Sequence, residues 1–248
     1  MAGDNGCTVI LPTYNEEANI GHMVDVLREM YPDFHVLVMD DNSKDDTQKL
    51  VLERAAKDPN VRLVVRDPED RGLSASIFEG IMKTETKYFV NMDADFQHPP
   101  EAVGRIYQQL TEGSELSIGV REDRTSLSSF GRWVGSWGAH YLAAFTLKLH
   151  NRQISSDIMS GLFGGDAALC QKVIEQDSEN FQMKGFKALF DLMKYVPEDI
   201  KLTEVKFKFG ERQGGESKLS GGIIVSLLKQ CDAWGTFLAK IASKVLKA

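Results

Sequence analysis

Residues 88–101 have the sequence YFVNMDADFQHPPE, in which an apolar run leads directly into two closely spaced carboxylates. The run predicts a buried strand, and the Pro-Pro-Glu that follows can begin a helix. In an open α/β sheet, ligands bind beyond the carboxyl ends of the strands, so Asp93, Asp95 and Gln97 are expected to face a site. Carboxylate, amide and phosphate oxygens are the ligands that Mg²⁺ or Mn²⁺ takes. The stretch therefore predicts a divalent metal site, although the D-x-D spacing alone also fits an ordinary acidic turn.

The same alternation of strand and helix patterns occurs four times in the first 112 residues, with short connections. Each short apolar run is followed by apolar residues at helical spacing. This order predicts a largely parallel sheet covered by helices on both faces. Asn15, a good capping residue before two acids, is expected to begin the first helix. The predicted strands are 9–11, 36–39, 61–65 and 88–92.

Acidic and polar residues end three of these strands, and a parallel sheet brings the three ends to one edge. Acids that converge at one edge need cations or donor-rich ligands, and a nucleotide diphosphate carried on a metal would supply both. There is no glycine-rich loop with the dinucleotide or P-loop spacing, and residues 40–46 fit no register of a calcium loop. The residues at the strand ends are Tyr14 and Glu16, Asp40 and Asp41, and Asp93 and Asp95.

The second half of the chain predicts fewer strands and two amphipathic segments. The aromatic-rich helix at 126–149 could place its rings in the core or at a membrane interface. Residues 223–248 predict a basic amphipathic helix, which could dock on the domain or lie on a bilayer, and the bilayer is favoured. The other predicted elements are strands at 117–121 and 201–209, a strand or tight turn at 160–164, helices at 167–176 and 183–195, and a cation-rich loop at 210–218.

Length and charge narrow the class of protein. The 248 residues can form one large domain, or one domain with an appendage. The net charge is −7, yet residues 201–248 carry nine Lys and Arg against four Asp and Glu. An acidic body with a basic tail disfavours nucleic-acid binding and permits contact with an anionic membrane surface. We expect no signal peptide, no membrane-spanning helix, and reduced thiols as in a cytosolic protein.

These motifs resemble those of the family 2 glycosyltransferases with the GT-A fold, and more narrowly the dolichol-phosphate mannose synthases within them. The short D-x-D is common among sugar transferases, whereas the string around it together with GESKL is more specific. The matching segments follow the order of the family: LPTYNE at 11–16, DDNS at 40–43, RGLS at 71–74, MDADFQHPPE at 92–101, IGVR at 118–121, SG at 160–161 and GESKL at 215–219.

The resemblance implies a GT-A (Rossmann-like) α/β fold, with a mixed, largely parallel sheet flanked by helices. It implies a catalytic domain at 1–218 and an amphipathic, membrane-interfacial helix at 219–248. The implied reaction moves mannose from GDP-mannose to a dolichyl or other polyprenyl phosphate with inversion, using Mg²⁺ or Mn²⁺. The implied location is the cytoplasmic face of a membrane, that of the endoplasmic reticulum in a eukaryote or the plasma membrane in a prokaryote. The resemblance also allows a small membrane subunit as a partner.

Site residues follow from the same resemblance, position by position. They fall into groups that hold the nucleotide, hold the metal and diphosphate, hold the acceptor phosphate, and close over the donor. The groups are, in that order, Pro12, Tyr14, Glu16 and Asp41; Asp93, Asp95 and Gln97; Arg121 and Arg132; and Arg212, Ser217 and Lys218.

The chain departs from the family pattern in two places. Residues 157–163, DIMSGLF, lack the proline of the family's DPxSGFF segment, and the residues around Arg132 match loosely. Two other activities stay open: a polyprenyl-phosphate glucosyl- or N-acetylhexosaminyltransferase that uses a UDP-sugar, and a non-catalytic membrane scaffold that binds no nucleotide. A sugar-nucleotide pyrophosphorylase is disfavoured because its glycine-rich N-terminal loop is missing.

Overall fold

The structure is a computed structural model that describes residues 6–122, 130–210, and 228, 230 and 231, without the side chains of 130–137 and 139. The described residues form one seven-stranded sheet with helices on both faces. The strands are β1 (Cys7–Thr13), β2 (His35–Asp40), β3 (Val61–Val65), β4 (Tyr88–Asn91), β5 (Leu116–Arg121), β6 (Phe163–Asp166) and β7 (Leu202–Phe207).

Helices connect most of the strands, in the alternation that the sequence predicts. The helices are α1 (Ile20–Met30), α2 (Thr47–Ala55), α3 (Leu73–Met82), α4 (Glu101–Thr111), α5 (Phe130–Leu149), α6 (Ala167–Asp177) and α7 (Ala188–Tyr195).

The strand order is β3-β2-β1-β4-β6-β5-β7, and β6 alone among these strands runs antiparallel. The prediction of a mixed, largely parallel sheet is therefore confirmed. The carboxyl ends of β1, β2 and β4 lie side by side, because β1 pairs in parallel with both neighbours. The sheet thus brings the acidic strand ends to one edge.

Side chains of β1 alternate between two hydrophobic cores, as the two-residue period of a strand requires. Ile10 packs in the core that contains Phe78 of α3, whereas Val9 and Leu11 pack in the core that contains Met23 of α1. Every residue of β1 is buried. This explains why central parallel strands appear in sequence as continuous apolar runs.

Two local predictions are corrected by the structure. The N-cap of α1 is Asn19, not Asn15. Asn15 instead has a φ of 54°, and its side-chain oxygen accepts a hydrogen bond from the backbone amide of Lys44 at 2.9 Å. Residues 160–164, predicted as a strand or a tight turn, contribute only their last two residues to a strand, because β6 begins at Phe163.

Within the described residues, none of the helices combines the length and apolar character needed to cross a bilayer. The three cysteines, Cys7, Cys170 and Cys231, are buried free thiols. The proposed boundary between residues 218 and 219 lies outside the described residues, as does most of the predicted C-terminal helix, so both stay predictions.

Candidate active site

A cleft of about 430 Å³ lies at the carboxyl ends of β1, β2 and β4. It brings together six of the predicted site residues: Pro12, Tyr14, Glu16, Asp41, Asp93 and Asp95. The other residues that line it are Thr13, Arg71, Gly72, Leu73, Ser76, Ala94, Lys184 and Phe186.

Asp41 organises one end of the cleft. Its buried carboxylate accepts hydrogen bonds from the Gly72 amide at 3.0 Å and the Ser76 hydroxyl at 2.8 Å. It also forms a short ion pair with the buried guanidinium of Arg66, which donates a second hydrogen bond to Glu79 at 2.8 Å. The carboxylate therefore fixes the turn at the start of α3 while it lines the cleft.

Arg71 covers the aromatic ring of Tyr14 at the same end. Its guanidinium carbon lies 4.2 Å from the ring centroid, and its Nε donates to the backbone oxygen of Asp41 at 3.1 Å. Glu16 lies nearby, and its carboxylate accepts a hydrogen bond from the Asn19 side chain at 3.1 Å. This end of the cleft therefore presents an aromatic ring, a guanidinium group and a carboxylate to a ligand.

Asp93 and Asp95 form the floor of the cleft at the end of β4. Asp95 is buried, and its Oδ1 accepts a hydrogen bond from the backbone amide of Gln97 at 3.1 Å. The side chain of Asp93 is 40% exposed, and its backbone amide donates to Nδ1 of His98 at 3.0 Å. The imidazole accepts at Nδ1 in this arrangement, so it carries its proton on Nε2.

The described residues contain no group of three His, Cys, Asp or Glu side chains that could hold a metal ion by itself. Asp93 and Asp95 can supply two oxygen ligands, and phosphate oxygens of a bound nucleotide would have to supply others. This donor set is hard and anionic, and it fits Mg²⁺ or Mn²⁺. Gln97, the third predicted metal ligand, does not line the cleft. Its backbone amide is hydrogen-bonded to Asp95, so it lies next to the two carboxylates.

The turn at residues 93–97, which carries the predicted metal ligands, contacts the chain that follows β7. The backbone oxygen of Gln97 accepts a hydrogen bond from the Gly210 amide at 2.9 Å. A side chain at Gly210 would place its Cβ 2.5 Å from the oxygen of Phe96, so only glycine fits this close approach. The predicted loop residues Arg212, Ser217 and Lys218 come directly after this contact and lie outside the described residues.

Arg121 ends β5 beside the cleft, although it does not line it. Its Nε donates to Oδ2 of Asp157 at 2.8 Å, and a second guanidinium nitrogen lies 3.3 Å from Oδ1. Because Asp157 is fully buried, the pair holds the guanidinium in one position. Arg132 lies in α5, and its side chain is outside the described part of the chain.

Lys187 adds a cation that the sequence did not identify. Its ammonium donates to the backbone oxygen of Met159 at 2.9 Å. Burial lowers the pKa of Lys187, the charge of Arg121 lowers it further, and the carboxylates of Asp157 and Asp93 oppose this shift. Lys187 is thus electrostatically coupled to both the predicted metal site and Arg121.

Other cleft residues were also missed, for different reasons. Arg71 belongs to the RGLS motif, so a signal for it was present in the sequence. Lys184 and Phe186 fall in a segment predicted as helix, whereas the helix begins at Ala188 and the preceding residues form an irregular wall.

The chain is similar in sequence to two known sugar transferases over most of its length. The chain is 34% identical over 238 residues to the dolichol-phosphate mannosyltransferase of Saccharomyces cerevisiae, covering 90% of this chain and 84% of that protein. It is 30% identical to the polyprenol monophosphomannose synthase of Mycolicibacterium smegmatis, covering 92% of this chain and 86% of that protein.

A solved structure shares the fold at lower identity. It is glucosyl-3-phosphoglycerate synthase from Mycobacterium tuberculosis in complex with Mn²⁺, UDP-glucose and glycerol 3-phosphate, with a TM-score of 0.64 and 20% identity. The likeness covers 92% of this chain and 80% of that one, and it supports the GT-A arrangement of the sheet. Residues 8–176 match the family described as glycosyl transferase family 2, and the chain belongs to that family.

Proposed function

We propose that this glycosyltransferase moves mannose from GDP-mannose to a polyprenyl phosphate of the dolichyl type. The observation that carries the proposal is that Asp93 and Asp95 line the same cleft as Asp41 and Tyr14. The proposal is also supported by the names of the relatives in S. cerevisiae and M. smegmatis, which describe mannose transfer to such lipids.

The nucleoside would occupy the end formed by Tyr14, Arg71, Asp41 and Glu16. Its diphosphate would then extend toward Asp93 and Asp95, which would hold a Mg²⁺ or Mn²⁺ ion together with the phosphate oxygens. Such an ion, when bound, supplies positive charge that stabilises the leaving nucleoside diphosphate. Lys184 also lines the cleft and would add positive charge near the diphosphate.

The acceptor phosphate would lie near Arg121 and Lys187. A phosphate monoester has a second pKa of about 6 and is largely dianionic at neutral pH, so it needs little help from a general base. It needs positioning among cations, and the Asp157–Arg121 pair provides a guanidinium of fixed direction. We expect no carboxylate to be essential as a base, and the roles of Arg132, Arg212, Ser217 and Lys218 stay predictions.

We further propose that the protein lies on the cytoplasmic face of a membrane as a peripheral protein. Tyr141, Phe145 and Leu149 follow one another at four-residue spacing on α5 and are 64%, 54% and 60% exposed. These three residues, named here the α5 stripe, form an apolar ridge beside the basic Lys148. Such a ridge suits the membrane interface, where the lipid acceptor would be found. We propose a small membrane subunit as a further partner.

The direct test is sugar transfer to polyprenyl phosphate with Mn²⁺ or Mg²⁺, comparing radiolabelled GDP-mannose with UDP-glucose and UDP-N-acetylglucosamine. We expect a lipid-soluble product from GDP-mannose alone. Preferred transfer from a UDP-sugar would instead support the alternative donor. If the protein bound no nucleotide, the result would support the alternative of a non-catalytic membrane scaffold.

The role of the metal site is tested with Asp95→Asn, which removes one anionic ligand but keeps the side-chain shape. We expect transfer to fall by at least about a hundredfold, because the metal contributes several kcal/mol to stabilising the leaving group. Asp166→Asn is the matched control, since Asp166 caps α6 and does not line the cleft. Equal activity of the two variants would contradict the assignment of Asp95.

A further inference from the structure

Residues 228, 230 and 231, named here the C-terminal segment, are held on α7 by a buried polar cluster. Lys194 and Asp191 form an ion pair of 3.0 Å, and both side chains are almost fully buried. The Lys194 ammonium donates to the backbone oxygen of Gln230 at 2.8 Å. In turn, Nε2 of Gln230 donates to Oδ2 of Asp191 at 2.7 Å. Gln230 therefore contacts both members of the ion pair.

Such a cluster is poorly explained by stability alone. Replacement of a buried ion pair by apolar residues is often neutral or stabilising, because removing two charges from water offsets their attraction. The geometry around Asp191 is specific, however: its Oδ2 also accepts the backbone amide of Gln182 at 3.1 Å. The carboxylate thus joins the C-terminal segment to the chain that leads into the cleft wall.

Gln230 also touches that wall directly. Its Nε2 donates a second hydrogen bond to the backbone oxygen of Lys187 at 3.3 Å. It lies against Gly185, where an added Cβ would come within 3.0 Å of the same nitrogen. The Gln230 side chain therefore contacts Gly185 and Lys187 within residues 183–187, which are named here the wall segment.

The wall segment is in turn joined to the nucleotide end of the cleft. The backbone oxygens of Met183 and Gly185 accept hydrogen bonds from the amides of Ala75 and Ser74, at 3.1 and 3.2 Å. These amides lie in the first turn of α3, where no carbonyl within the helix can accept their hydrogen bonds. A Cβ at Gly72 would lie 2.6 Å from the Met183 oxygen, so the two surfaces are in close contact.

We propose that Gln230 is a positioning residue that couples docking of the C-terminal segment to binding of the nucleotide sugar. When the segment is docked, Gln230 holds the wall segment against the start of α3, and Lys184 and Phe186 line the cleft. The inference rests on the proposed binding of a nucleotide sugar in that cleft. Since coupling between two binding events is reciprocal, a bound nucleotide must also favour the docked segment.

The first experiment compares Gln230→Met with Gln171→Met in the full-length protein. Methionine keeps the length of the side chain and removes both hydrogen-bond donors. Gln171 is a matched control because its Nε2 also bridges two backbone oxygens, those of Ile81 and Thr84, each at 2.9 Å. We expect Gln230→Met to raise the KM for the donor about tenfold while kcat changes less than about twofold, and the control to change neither.

The second experiment measures docking without any assay of activity. Cys231 is fully buried, as are Cys7 and Cys170, so its alkylation by iodoacetamide reports opening of the C-terminal segment. Peptide mass spectrometry follows the three cysteines in the same molecule. We expect Gln230→Met to accelerate alkylation of Cys231 about tenfold and to leave Cys7 and Cys170 unchanged.

Nucleotide protection tests the coupling in the wild-type protein and needs no variant. Saturating GDP with Mn²⁺ is expected to slow alkylation of Cys231 selectively. If GDP binds by calorimetry but leaves Cys231 alkylation unchanged, the coupling is overturned while the proposed function stands. Equal acceleration of all three cysteines in Gln230→Met would also overturn it, since that indicates global destabilisation. Failure of the wild type to bind GDP would overturn the proposed function itself.

Discussion

At the scale of single residues, Asp41 shows how a carboxylate in the cleft depends on groups behind it. Its oxygens accept hydrogen bonds from the Gly72 amide, the Ser76 hydroxyl and the Arg66 guanidinium. Arg66 does not line the cleft, and its side chain is buried between Asp41 and Glu79. Arg66 therefore holds the Asp41 carboxylate in place and offsets the cost of burying it, because a buried carboxylate without a cationic partner is strongly disfavoured.

Arg66→Met is expected to lower the free energy of unfolding by about 3 kcal/mol, since it leaves the Asp41 carboxylate buried and uncompensated. Arg62 is the matched control, because it pairs with Glu85 at 3.0 Å while its side chain is 50% exposed. Arg62→Met is expected to change the free energy by no more than about 0.5 kcal/mol. Urea unfolding of both variants measures the difference. Equal losses in the two variants would show that Arg66 contributes no more than a surface ion pair.

The cleft residues that directly follow a strand could be predicted from the sequence. Residues brought to the site by tertiary packing could not. Asp41 and Asp93 follow apolar runs, so local sequence places them at the carboxyl edge of the sheet. The Arg66–Asp41 pair joins positions 25 residues apart, and nothing in the sequence around Arg66 indicates its partner. Lys187 depends on where α7 begins, which is a property of packing and not of periodicity.

At the scale of elements, β6 is the strand whose placement the sequence least indicates. It inserts antiparallel between β4 and β5, and its pattern of Phe163, Gly164 and Gly165 has no apolar alternation. The glycines instead permit close packing: a Cβ at Gly164 would lie 2.5 Å from the Phe89 oxygen. Strands β1 to β4 can be predicted because each is a short run of mostly apolar residues. Strand β6 lacks such a run, since its glycines are required for close packing against β4 and not for burial of apolar side chains.

Helix α6 offers a test of capping at this scale. The Asp166 side chain accepts a hydrogen bond from the backbone amide of Leu169 at 3.0 Å, whereas Asp46 at the start of α2 makes no side-chain cap hydrogen bond. Asp166→Ala is expected to lower the free energy of unfolding by about 1 kcal/mol. Asp46→Ala, measured by the same urea titration, is expected to cost distinctly less. A larger loss in Asp46→Ala would contradict the assignment of the cap.

At the scale of the whole molecule, the net charge of the protein opposes membrane binding, whereas its lipid acceptor requires it. The chain carries a net charge of −7, which disfavours approach to an anionic bilayer. A polyprenyl phosphate nevertheless keeps its hydrocarbon in the membrane, so the enzyme must come to the lipid. The α5 stripe offers apolar surface for this purpose, and α5 packs its other side, including Ala143 and Leu147, in the core shared with α7. This side of the helix is thereby packed on the domain, and the α5 stripe faces outward.

The prediction is that the α5 stripe contributes to membrane binding of the full-length protein. Replacing Tyr141, Phe145 and Leu149 together by serine should weaken cosedimentation with anionic liposomes at least about tenfold, because partial burial of each apolar side chain contributes up to a few kcal/mol. The control replaces Leu52 and Val65, which are 55% and 48% exposed near the β3 edge of the sheet. Transfer to a short, water-soluble polyprenyl phosphate should be unaffected in both variants, since neither alters the cleft. Liposome binding equal to that of the control would assign membrane contact to another part of the chain.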